Sequence, residues 1–496
     1  MRLRIACLLL IAACNGKAAT VPTEPFDLAK YEWRVLRKVD SARTRLRQLA
    51  TPDAYVVLAR IAIEQQDFAA ARVEAKKAQA AATKPRERRA AAVVLAKAVS
   101  RDPKSGEAEL HETVTALRAL IAEHGPYLAL SRALIRVALR AGDGAAALEG
   151  VNGYYRVSAH SGPPHVIAGA HADLARFLPP WKGTAPERPG IARALAGVRM
   201  FEEAALVEPA GEIARYAATL RRIEQGANEH YRRIALGDDN RRAMDKLLKR
   251  ELKTSKEELK RRYGMHVITG KTGGYHDMHL AHVVVDRTMK VEQYGHTANV
   301  RFVALDGVVT NGYTQWLTDD KSGDGGWGTA EEVYQVRPLY ADGPLRDWND
   351  PSAEKTLANR LHQQYLERLR SETKSREEFL ARVEHDTFTH SIALHEGRHA
   401  IDAASGKSYK TWELEYRAKL SQIALAPSPR QALGSVLDFT IGGDSPHGKA
   451  NEKLAGELVA WMKERGLGTV LDDVAKLTDA QIAEAVRSLD PLASPR

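Results

Sequence analysis

Apolar residues recur at helical spacing from Asp27 to about Arg262, and near Tyr263 that periodicity gives way to short β-branched and alternating runs. A chain that changes period in this way cannot be one bundle or one sheet, because each period builds its own hydrophobic face. The first stretch is rich in Ala, Arg, Leu and Glu, with breaks at Thr51-Pro52, Lys84-Pro85, Gly125-Pro126 and Gly142-Asp143-Gly144. Proline cannot continue a helix from within and glycine ends one readily, so these breaks predict helices of roughly 12–20 residues. In the second stretch, Val267-Ile268, His282 to Val285, Val300 to Leu305 and Val308-Val309 read as strands, and Asp306-Gly307 between the last two is a hairpin signal. Helical patterning returns from about Ala353. The expected fold is multidomain: an all-α helical-repeat domain over 27–262, then an α+β domain over 263–496.

Two segments of the helical half are alike. Leu58-Ala-Arg-Ile-Ala62 leads to Asp67-Phe-Ala-Ala-Ala71, and Leu134-Ile-Arg-Val-Ala138 leads to Asp143-Gly-Ala-Ala-Ala147. Both, with Ala78 at a further small position, resemble the tetratricopeptide pattern, in which small residues let paired helices pack closely. That resemblance implies a surface that binds a protein partner; an Ala-rich bundle without repeats is the plainer alternative. The composition is that of a globular protein, 44% hydrophobic and 27% charged. Lys and Arg number 73 against 63 Asp and Glu, but no basic run is interleaved with aromatics, so nucleic acid is not an expected partner.

The first residues suggest a compartment. Arg2 and Arg4 precede an apolar run from Ile5 to Ala13, too short to span a bilayer and of the form of a signal peptide over 1–13. Ile11-Ala12-Ala13-Cys14 resembles the bacterial lipoprotein signal, which implies cleavage before Cys14, lipidation of its thiol and, with Asn15 rather than Asp following, delivery to the outer membrane. Residues 14–26, with Pro22 and Pro25, read as a tether, so the membrane is reached only through the lipid. Cys7 and Cys14 are the chain's two cysteines, which leaves neither a disulfide framework nor a Cys-ligated metal site. A metal here must sit on His, Asp and Glu.

Such a set is present. His395-Glu396-Gly397-Arg398-His399 is a His-Glu-x-x-His pentad flanked by Ile392, Leu394 and Ile401. Side chains four apart lie on one helix face, so both imidazoles can reach one tetrahedral zinc, with Glu396 beside it as general base. The pentad, downstream of a strand-rich segment, resembles the zincin metallopeptidases. The resemblance implies a zinc-dependent hydrolase acting on peptide or protein substrates. Arg398 departs from that pattern, and its charge is expected to point away from the core. A third His six residues on is excluded by Ser405, leaving a carboxylate in Trp412-Glu413-Leu414-Glu415-Tyr416-Arg417-Ala418. Glu415-x-x-Ala418 resembles the second helix of gluzincins, which implies Glu415 as third ligand; Glu413 is the alternative. Lys419 stands where that pattern continues with Asp.

Other residues carry weaker signals. His447, in Asp444-Ser-Pro-His447-Gly, is a candidate oxyanion donor, or a surface residue on a helix that Ser445 caps. Asp402 is a candidate partner for a ligand or a solvated residue, and His390 a packing residue. Asp320, Ser322, Asp324 and Glu331 have EF-hand spacing for calcium, against a Gly-rich loop over the cleft. His276, His279 and His282 recur every three residues and read as turn and strand-entry residues. Val300 to Leu305 is a candidate edge strand for an extended substrate. The competing reading is a non-catalytic envelope lipoprotein whose helices bind a partner and whose zinc site is structural or degenerate.

Overall fold

The computed structural model describes residues 21–155, 165–184, 186–236, 260–261, 263–272, 275–310, 326–328, 332–336, 339–349, 356–438 and 441–493. It is mostly helical with one small sheet. Cys14 and the calcium candidates Asp320, Ser322, Asp324 and Glu331 lie outside the described residues. Two compact units divide the chain: Met1–Arg156, Pro163–Val284 and Leu305–Asp324 form one, and Val157–Gly162, Val285–Ala304 and Gly325–Arg496 the other. Among the described residues no helix is long and apolar enough to cross a membrane.

The first unit holds helices α1 (Pro25–Arg34), α2 (Val39–Leu49), α3 (Pro52–Glu64), α4 (Phe68–Ala81), α5 (Pro85–Arg101), α6 (Glu107–His124), α7 (Leu128–Ala141), α8 (Gly144–Tyr155), α9 (Ala168–Phe177), α10 (Arg188–Gly197), α11 (Phe201–Val207) and α12 (Glu212–Ala235). The helices start and stop at the breaks read from the sequence. Pro52 and Pro85 open α3 and α5, and Gly142 closes α7 at φ 69°, a left-handed position glycine occupies without strain.

The two similar segments fold alike, as the packed pairs α3–α4 and α7–α8. Asp67 and Asp143 each cap the second helix of their pair, accepting from the backbone N–H of Ala70 and Ala146 at 3.0 Å. Ala59, Ala71, Ala75 and Ala78 are wholly buried between α3, α4 and α5, where larger side chains would hold the helices apart. A Cβ on Gly150 would come within 2.7 Å of Ile135 Cγ1, so α8 approaches α7 only because that residue has no side chain. Asp143→Ala is expected to lower stability by about 1 kcal/mol, read as a shifted urea midpoint, while Asp143→Asn changes it little. Equal losses in the two variants would show that the carboxylate is not acting as a cap.

The sheet has the order β1-β2-β3-β5-β4, from β1 (Met265–Thr272), β2 (Tyr275–Gln293), β3 (His296–Thr310), β4 (Gly326–Gly328) and β5 (Glu332–Val336). β1 and β2 are antiparallel from Met265↔His282 to Thr272↔Tyr275, as are β4 and β5 from Gly326↔Gln335 to Gly328↔Val333. Three expectations change here. The hairpin turn between β2 and β3 is Tyr294-Gly295, both at positive φ (51° and 77°), and β3 runs straight through Asp306-Gly307, with Asp306 buried. Val300 to Leu305 is interior, because β3 lies between β2 and β5; β1 and β4 are the edges. His276, His279 and His282 are strand residues of β2 rather than turn residues. His282 is buried, stacked on Phe201 with centroids 4.8 Å apart, and burial pushes its pKa down to about 3.

The second unit continues with α13 (Leu339–Asn349), α14 (Leu357–Glu372), α15 (Arg376–Phe388), a π-helical segment (Thr389–Glu396), α16 (Gly397–Ala404), α17 (Thr411–Ala424), α18 (Pro429–Leu437), α19 (Pro446–Glu464) and α20 (Asp479–Leu489). Its core joins Leu361, Leu420, Ile423, Leu433, Leu454, Leu458, Met462 and Val486. α17 is central, packing on the π-helical segment, α16, α18, α19 and α20. Helices therefore return at Leu339, earlier than the patterning suggested.

Candidate metal centre

The pentad is wound in two ways. His395 and Glu396 end the π-helical segment, and Gly397 to His399 open α16 in ordinary α geometry. A π turn widens the helix by one residue and leaves displaced carbonyls to be satisfied. Gln293, at the end of β2, donates from Nε2 to the Leu394 carbonyl at 2.8 Å. Val291, two residues earlier, lies so close that a Cβ on Gly397 would be 2.9 Å from its Cγ1. The strand thus seats the helix directly at the motif.

His395, His399 and Glu415 meet. Each offers one ligand atom, and these atoms all lie within 4.8 Å of one another. Glu415, on α17, brings Oε2 to 3.4 Å from His395 Nε2 and Oε1 to 3.8 Å from His399 Nε2. The two imidazoles stand nearly perpendicular, at 85°, with centroids 5.1 Å apart. Two imidazole nitrogens and a carboxylate oxygen converging from two helices suit a divalent transition metal. Glu413 does not join them: its carboxylate turns back to accept from the Lys410 N–H at 2.8 Å and caps α17.

Burial opposes charge on His395, yet the Glu415 and Glu396 carboxylates outweigh it and raise its pKa. Burial opposes charge on Glu415, yet the His395 and His447 imidazoles outweigh it and hold that carboxyl well below the usual range. Burial, then the neighbouring His395, pushes His399 down to about 4, so it is neutral and able to ligate. Glu396 is buried and its Oε2 has no hydrogen-bond partner among the described residues; burial pushes its pKa up to about 7. An unpartnered carboxylate oxygen beside three converged donors is costly to the fold and chemically useful.

His447 also reaches the site, its Nδ1 3.0 Å from Glu415 Oε2 with the side chain 56% exposed. Ser445 caps α19 through its hydroxyl, which accepts from the Gly448 N–H at 3.0 Å, and Pro446 takes the first turn. The capped helix start is as expected, and His447 on it lies against Glu415.

Arg398 is a correction. It is 0% exposed and points into the core rather than away from it. Its guanidinium donates to Asp490 through both Nη atoms, at 2.9 and 3.0 Å, to Ser421 Oγ at 2.5 Å and through Nε to Asp402 at 3.1 Å. Asp402 in turn accepts twice from Arg417, both at 2.8 Å, so it is neither solvated nor a hydrogen-bond partner of a ligand. Lys419, where a carboxylate was the expected residue, is buried.

Sequence reasoning missed the residue that does hold His395. Gln422 Oε1 lies 2.8 Å from His395 Nδ1, and Gln422 Nε2 lies 3.3 Å from Nδ1 of His390, which is buried. The signal was its position seven residues, two turns, after Glu415 on the same face of α17. Compared with known protein families, with curated proteins and with solved structures, the chain matches none.

Proposed function

We propose that the chain is a zinc-dependent peptidase of gluzincin type, lipid-anchored through Cys14 in a bacterial envelope, with paired helices of tetratricopeptide type that bind a protein partner. The observation that carries the enzymatic part is the convergence of His395, His399 and Glu415 with the buried, unpartnered Glu396 beside them. The donor set of two His and one Glu is one that zinc takes in hydrolases. When bound there, zinc would supply a Lewis acid that polarises the scissile carbonyl and brings the pKa of water at its open position to about 7.

The chain's own residues supply the rest. Glu396, whose proton affinity is matched to neutral pH, takes a proton from the attacking water at Oε2 and returns it to the leaving amide nitrogen. His447, anchored on Glu415 and half exposed, is the imidazole that would donate to the oxyanion of the tetrahedral species. β4 is a sheet edge and packs against the π-helical segment, so an extended substrate adding there as a further strand would lie along the motif.

Zinc per chain by elemental mass spectrometry tests this. About one zinc is expected in the wild type and in Glu413→Ala, with most of it lost in His399→Ala and Glu415→Ala. The loaded chain should cleave denatured protein substrates, and a chelator should abolish the cleavage. A chain that stays zinc-free after reconstitution would end the enzymatic reading and leave the paired helices as the functional half.

A further inference from the structure

We infer that Gln422 is a positioning residue that fixes the tautomer of His395, and that Ser435 and His390 fix the orientation of Gln422. The consequence for zinc rests on the peptidase reading; the hydrogen-bond argument does not.

The argument starts at Ser435. Its hydroxyl donates to the Ala432 carbonyl at 2.8 Å, so its oxygen is left only to accept. The Gln422 atom 3.2 Å from that oxygen must therefore be the amide nitrogen, Nε2. The second hydrogen of the same nitrogen is directed to His390 Nδ1 at 3.3 Å, which accepts when His390 carries its proton on Nε2. With both N–H groups used on that side, the amide oxygen faces His395 Nδ1 at 2.8 Å. An oxygen can only accept there, so His395 Nδ1 carries a proton, and the ring nitrogen left for a metal is Nε2, the atom on the Glu415 side.

The acceptor is a neutral amide rather than a carboxylate. It orients the ring without adding a negative charge behind it, so the ligand stays less basic than a carboxylate-backed imidazole. Three residues from two helices and the π-helical segment are thus committed to one proton on one ring nitrogen.

The full-length chain tests this without any substrate. In the zinc-free protein with ¹⁵N-labelled histidine, long-range proton–nitrogen correlation should show a proton on His395 Nδ1. Zinc alone, titrated against a competing chromophoric chelator, should bind Gln422→Leu about 10–100-fold more weakly than wild type. Gln422→Glu, which keeps an acceptor, should bind within about threefold of wild type or tighter. Should Gln422→Leu not fold, Ser435→Ala removes only the acceptor that orients the amide and is expected to weaken zinc binding and mix the His395 tautomers. A wild-type His395 Nδ1 without a proton, or undiminished zinc binding in Gln422→Leu, would overturn the inference. If the wild type binds no zinc, the peptidase reading fails, and the His395 tautomer still decides the role of Gln422.

Discussion

Replacing Asp490 by Ala is expected to destabilise the second unit by about 3–5 kcal/mol, the cost of leaving a buried charge without its partner. Arg398 is completely enclosed, and Asp490, just beyond α20, is 1% exposed. Between them run two parallel hydrogen bonds of 2.9 and 3.0 Å, the bidentate arrangement that fits a guanidinium to a carboxylate. In Asp490→Ala the nearest remaining carboxylate is Asp402, and that group already serves Arg417 twice. One buried acid is then shared by two cations. The loss should be read as a lowered urea midpoint for the transition that near-ultraviolet signals assign to the second unit. A double variant, Arg398→Met with Asp490→Leu, should recover most of it, because apolar packing of similar volume removes both the charge and the need for its partner. A loss below about 1 kcal/mol in Asp490→Ala would mean that water reaches Arg398 and that the pair is not the buried bridge described.

Arg398 also shows where the sequence stopped being legible. Local rules worked where the cause is local. Proline and glycine positions marked the ends of α3, α5 and α7, because a helix end is decided by the few residues that compose it. The pentad was legible for the same reason, its spacing being local, whereas Glu415 was reached through the resemblance of Glu415-x-x-Ala418 to a gluzincin helix. What failed depended on partners far along the chain. A charge inside the motif looked like an exposed one because its partner, Asp490, is 92 residues away. Gln422 was overlooked because an amide carries no sequence signature of ligand support, although it sits where an acceptor was wanted. The hairpin was placed at Asp306-Gly307 because that dipeptide suits the turn, whereas Tyr294-Gly295 takes it and β3 continues through a buried Asp306. The edge strand was misplaced because strand order is a tertiary property that alternation along one strand does not encode.

Glu396→Gln is the substitution that separates a zinc enzyme from a zinc-holding scaffold. Glu396 is not among the three converged donors, so zinc per chain should stay at the wild-type value. Glutamine has nearly the same shape and replaces a buried carboxylate oxygen that has no partner with a neutral group, so the fold should hold or gain stability. What is lost is the ability to accept a proton. With no base at Oε2, water must be activated without help and the leaving nitrogen must depart unprotonated, so peptide hydrolysis should fall by about 10²–10⁴-fold, read as kcat at saturating substrate. The three readings combine into a decision. Retained zinc, retained stability and lost turnover assign Glu396 the role of proton carrier. Retained turnover would remove Glu396 from the reaction and shift attention to another base. Zinc bound by a wild type with no turnover on any peptide, and unchanged by Glu396→Gln in every assay, would make the centre a structural one and return the function to the helices of the first unit.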